Sequence, residues 1–162
     1  PKPFTAFQWE PQCAFDELLR KQQYLKEQIT DRKIRYNYHD ASVSRIEAVF
    51  ARGDRRLGKA ISEAHRRGMK LDSWEAFFSY DKWISVFEAC GIDPDFYANR
   101  ERAEDEILPW DVIDIGMTKE FFLRERHKAF EEKTTPNCRQ ACSGCGANKL
   151  GGERSCCPKS KK

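Results

Sequence analysis

Apolar side chains recur along most of the chain at the spacing of helix faces. Phe15, Leu18, Leu19, Leu25 and Ile29 are separated by charged residues and predict a long helix over 11–30. Residues 32–38 change period: Ile34, Tyr36 and Tyr38 alternate with Lys33, Arg35 and Asn37, the pattern of a strand. Helical spacing returns over 43–50 with Val43, Ile46 and Phe50. Gly53 interrupts it, Asp54 is a capping residue, and Leu57, Ile61 and Ala64 form the next stripe, which Gly68 stops.

Ser73 predicts the start of a short helix carrying Trp74, Phe77 and Phe78. Asp81 predicts another, with Trp83, Ile84, Phe87 and Cys90 inward and Gly91 at its end. Asp93 to Asn99 reads as one turn with Pro94 in first position. Residues 100–115 have no period and predict an extended connection, with Leu108-Pro109-Trp110-Asp111 as a packed anchor. Thr118 starts a last helix to about Glu132. After Thr134-Thr135-Pro136 no apolar face remains, so order there is expected to come from a bound metal.

Composition narrows the class. With 162 residues, 40% apolar and 12% aromatic, the chain suits one ordinary domain or a small domain with a tail. Twenty-nine basic residues face 26 acidic ones, and a net charge of +3 implies no general attraction to nucleic acid or membrane. No stretch approaches the roughly 18 apolar residues of a membrane span, and no secretory signal opens the sequence. The start Pro1-Lys2-Pro3, without Met, suggests a natural N-terminus elsewhere.

Five of the seven cysteines fall between 138 and 157. Such crowding reads as a ligand set in a reducing, cytoplasmic compartment and not as a disulfide scaffold. Cys138, Cys142 and Cys145 have the spacing C-x3-C-x2-C, and Cys156 and Cys157 follow a Gly-rich stretch. Short gaps let thiolates converge, glycines let the backbone wrap, and Lys149 and Arg154 favour the thiolate form. The expected metal ligands are Cys138, Cys142, Cys145 and Cys156, with Cys157 the other candidate for the fourth position. The spacing favours an iron–sulfur cluster, with zinc as the alternative.

Other residues are weaker candidates. His39 beside Asp40 reads as a hydrogen-bonded pair, Cys90 as core and Cys13 as uninformative. Arg52, Arg55, Arg56, Arg66 and Arg67 support an alternative reading as a non-catalytic, zinc-bearing RNA-binding module. A solvated helix face is favoured over that reading, because no aromatic interleaving accompanies the arginines.

Residues Lys2-Pro3-Phe4-Thr5-Ala6-Phe7-Gln8-Trp9-Glu10 resemble the motif that closes the radical S-adenosylmethionine core in the cobalamin-binding-type group, with Ala6 in place of a usual Pro. Arg52-Gly53-Asp54-Arg55-Arg56, Gly91-Ile92-Asp93-Pro94, Phe96-Tyr97-Ala98, Leu108-Pro109-Trp110-Asp111 and Thr134-Thr135-Pro136 resemble one branch of that group, in order along nearly the whole chain.

The pattern itself reads as mainly α with one or two strands, and the resemblance implies a helical C-terminal extension following the last part of a partial (β/α) barrel, with an irregular Cys-rich tail. The implied divisions are 1–40 for the end of the barrel, 41–133 for the helical extension and 134–162 for the metal-binding tail. It also implies a radical enzyme whose catalytic four-iron cluster and S-adenosylmethionine site lie upstream, in the same parent chain. There a reduced cluster donates an electron to S-adenosylmethionine, and the resulting 5′-deoxyadenosyl radical abstracts hydrogen from a substrate. Cys138, Cys142 and Cys145 share the spacing of that catalytic loop. They follow the barrel, however, and Gly144 stands where the catalytic motif has an aromatic residue. They are therefore expected to hold an accessory centre.

Overall fold

A computed structural model describes residues 1–150. Cys156 and Cys157 lie outside the described residues. The chain is mainly helical: α1 (Phe15–Gln28), α2 (Ala41–Arg52), α3 (Gly58–Arg66), α4 (Tyr80–Ala89), α5 (Pro94–Ala98) and α6 (Lys119–Phe130), with 3-10 turns at Arg55–Leu57 and Ala147–Lys149. There is no strand among the described residues. None of their helices is long and apolar enough to cross a membrane.

Two compact units form. Residues 11–101 make one, and residues 1–10 with 102–150 make the other. The divisions expected at 40/41 and 133/134 fall inside these units.

The unit of residues 11–101 is built on capped helices. Asp40 Oδ1 accepts from the backbone N–H groups of Ser42 at 2.8 Å and Val43 at 3.1 Å, which starts α2. The Asp54 carboxylate accepts from Arg56 N, and the 3-10 turn that follows carries Leu57 back under α2. Gly53 is required here, because a Cβ would strike the Leu57 side chain and lie 2.7 Å from Val49 O.

Helices α3 and α4 end alike. Gly68 and Gly91 have φ of +76° and +65°. After α3, Met69 N donates to Ala64 O and Gly68 N to His65 O. After α4, Ile92 N donates to Phe87 O and Gly91 N to Glu88 O. These paired bonds satisfy carbonyls that a helix end otherwise leaves open. The core gathers Ile46, Val49, Leu57, Ala60, Trp83, Phe87 and Tyr97, with Cys90 packed at its margin.

Three expectations are corrected. Residues 32–38 are not a strand. Tyr36 and Tyr38 do share a side, stacked with ring centroids 5.1 Å apart, but no described segment pairs with their backbone, and a strand needs such a partner. Residues 73–78 form a turn and not a helix: Phe77 N and Phe78 N both donate to Trp74 O, and Trp74 and Phe77 stay exposed. Of its three rings only Phe78 packs against the core, which is too little burial to offset the cost of helix nucleation. The N-cap of α4 is Ser79, with Asp81 in the first turn.

The other unit packs a short N-terminal segment with the long connection and α6. Trp9, Leu108, Trp110 and Phe122 are its core. Gln8 is buried, and its Oε1 accepts from Trp110 Nε1 at 2.7 Å and Phe4 N at 3.1 Å. Arg102 N donates to Trp9 O at 2.8 Å. The Leu108–Asp111 anchor is thus the floor of a core. Thr118 Oγ1 caps α6 by accepting from Phe121 N at 3.2 Å.

Candidate metal centre

The cysteine segment leaves α6 through a fastened link. Lys133 N donates to Lys128 O at 2.8 Å and closes the helix end. Thr135 Oγ1 then donates to Glu125 Oε2 at 2.5 Å and accepts from Lys128 Nζ at 2.9 Å. Burial would raise the Glu125 carboxyl, but the hydrogen bonds from Thr135 and Lys128 hold it below the ordinary carboxylate range.

A turn follows in which Gln140 N and Ala141 N both donate to Asn137 O, while Arg139 N donates to the Asn137 side chain. This places Cys138 and Cys142 at the surface and leaves Cys145 half-buried.

The far end of the segment docks beside the start of α6. Thr118 N donates to Cys145 O at 3.2 Å, and Arg124 donates to Ser143 O. Gly146, at φ +92°, lies so close that a Cβ there would stand 2.5 Å from Gly116 O. Gly116 in turn lies under Leu150, where a Cβ would stand 2.5 Å from Leu150 Cγ. These contacts correct the expectation that nothing but a metal could order the segment: as far as Leu150 it has protein partners of its own. Gly116, Thr118 and Leu150 were missed as partners, and the sequence signal for them is small, a Gly two residues before a helix cap.

The donor set has the chemistry of a soft-metal site. Three thiols fall within eight residues, and Gly144 N–H donates to Cys142 Sγ at 3.4 Å. An N–H pointing at sulfur favours the thiolate, which is the form that binds iron or zinc. Gly144, at φ +68°, turns the chain between Cys142 and Cys145. Among the described residues no group of three or more His, Cys, Asp or Glu side chains is gathered as a metal site. Cys156, the expected fourth ligand, lies outside those residues.

The arginines of the RNA-binding alternative are scattered in role. Arg52 is buried, with Nε donating to Tyr97 O at 3.2 Å, so it is a structural cation and cannot touch RNA. Arg56 is held by the Asp54 carboxylate, and Arg66 and Arg67 both by Glu63. His39 bonds Ser44 Oγ at 2.7 Å in place of Asp40, whose carboxylate serves the α2 cap.

Compared with known proteins, the chain matches no family model, no curated protein and no solved structure.

Proposed function

We propose that this chain is the helical, C-terminal region of a radical S-adenosylmethionine enzyme and that it carries an accessory iron–sulfur centre on Cys138, Cys142 and Cys145, with Cys156 as fourth ligand. The observation that carries the reading is the C-x3-C-x2-C run with its thiolate-directed N–H from Gly144, fastened at both ends to α6.

The ordered set of family-like motifs supports the radical-enzyme assignment. In this chain they have structural work: Gln8 and Trp9 bury against Leu108 and Trp110, and Arg52 and Gly53 sit where α2 meets its following turn. Helix α1 supports it as well. No α1 residue is buried, and Leu19, Tyr24 and Leu25 are exposed, which suits a helix that packs on a larger body.

Bound at these thiolates, an iron–sulfur cluster supplies a one-electron redox centre. The chain's share would be to hold the thiolates of Cys138, Cys142 and Cys145, with the Gly144 N–H donating to the Cys142 sulfur.

The test uses the parent enzyme, reduced in the presence of S-adenosylmethionine. The proposal expects 5′-deoxyadenosine release and enough iron for two clusters. Cys142→Ser should remove one cluster's worth of iron and leave uncoupled 5′-deoxyadenosine release in place. Loss of all iron in that variant, or a parent that binds no S-adenosylmethionine, contradicts it.

A further inference from the structure

The unit of residues 11–101 contains a groove of about 1190 Å³ that the metal centre does not use. It is larger than the roughly 300–1,000 Å³ of a small-molecule pocket. Its walls are of two kinds. Phe50, Phe78 and Trp83 supply ring surface, and Asp40, Glu47, Asp72 and Glu75 supply four carboxylates. None of the described residues lining it is Lys or Arg, in a chain whose net charge is +3. Arg45, which donates to the lining residue Tyr80, is itself paired with Asp95 at 2.7 Å.

Asp72 is the most informative wall residue. Its Oδ2 accepts from Trp83 Nε1 at 2.9 Å, while its Oδ1 is buried with no hydrogen-bond partner among the described residues. A buried carboxylate oxygen left without a donor is costly, which favours a turn of the Asp72 carboxylate toward an N–H or ammonium donor held in the groove. Leu71, Trp74 and Phe77 stand exposed in the same turn as Asp72, which adds apolar surface to the rim. His39, 3.9 Å from Glu47, and the Lys26 ammonium over the Tyr38 ring are the basic groups at one end of the groove; at the other end the Trp83 and Phe78 rings beside Asp72 and Glu75 suit an ammonium or guanidinium on an aliphatic stem.

From charge complementarity and size together, we propose that this groove binds an extended peptide segment in which lysine or arginine alternates with apolar residues. One basic side chain reaches the Asp72 and Glu75 carboxylates past the Trp83 ring, and the apolar residues lie on Phe50 and Phe78.

The probe is a fluorescein-labelled short peptide alternating lysine with leucine, titrated by anisotropy against the chain, with a glutamate–leucine peptide and spermidine as comparisons. The proposal expects saturable binding of the lysine peptide alone, weakened by salt. Asp72→Asn, which can still accept from Trp83, combined with Glu75→Gln should weaken it about tenfold. Glu75 is exposed, so Glu75→Gln alone tests the charge without risk to the fold, and circular dichroism checks both variants. Equal binding of the two peptides, no binding of either, or displacement of the lysine peptide by spermidine at equal concentration overturns the proposal. So does self-association of the chain that the same substitutions abolish, since the groove would then be an interface between copies.

Discussion

Replacing Gly146 by alanine tests how the cysteine segment is held. At φ +92° an L-residue is strained by about 1–3 kcal/mol. The new Cβ would also stand 2.5 Å from Gly116 O and 3.3 Å from Thr118 Cγ2, and the first of these is backbone that cannot swing away. The segment must retreat, which breaks the 3.2 Å bond from Thr118 N to Cys145 O, worth about 1 kcal/mol. The sum is about 2–4 kcal/mol against the docked state. At about 1.4 kcal/mol per tenfold, the ratio of docked to undocked segment falls by a factor on the order of 100.

Hydrogen exchange at the Thr118 amide reads this directly, and tryptic cleavage after Arg139 reads the loosened segment. Gly144→Ala is the matched control, since its φ of +68° is strained but no atom lies within 4 Å of the added Cβ. It should loosen the segment less. Unchanged Thr118 exchange in Gly146→Ala, or equal effects of the two substitutions, would refute the docking argument.

Arg52→Ala removes a buried guanidinium from Tyr97 O and Arg100 O and should destabilise the unit of residues 11–101 by about 2–4 kcal/mol in urea melts; Arg52→Lys should cost less. Glu104 is held below its ordinary carboxylate range by the hydrogen bond from His127 and by Arg126. Its stabilising effect is therefore complete above the ordinary carboxylate pKa and is lost as the pH falls through the lowered folded value. Glu104→Gln should accordingly flatten the acid limb of a stability–pH curve, and an unchanged limb counts against the pair.

Helix ends were the most legible part of the fold. Asp54, Gly68, Gly91, Pro94 and Thr118 act locally, through caps and positive φ, and a local window of sequence contains all that they need. The strand expected at 32–38 failed because alternation describes which side a residue faces, while a strand also requires a neighbour elsewhere in the chain. Gln8 and Trp9 were legible as a motif but not as core, because their partners Leu108 and Trp110 lie about a hundred residues away. The cysteine spacing was plain in the sequence. The docking through Gly116, Gly146 and Leu150 was not, since the close approach of two glycines has no pattern of its own.

The central claim is that Cys138, Cys142 and Cys145 bind an iron–sulfur centre. X-ray absorption at the iron and zinc edges, on the chain purified without oxygen and reconstituted with iron and sulfide, tests it most directly. The account predicts an iron edge with a sulfur shell and an iron–iron scattering shell, both lost in Cys142→Ser. A stoichiometric zinc edge with a single sulfur shell near 2.3 Å, and no uptake of iron, would contradict it.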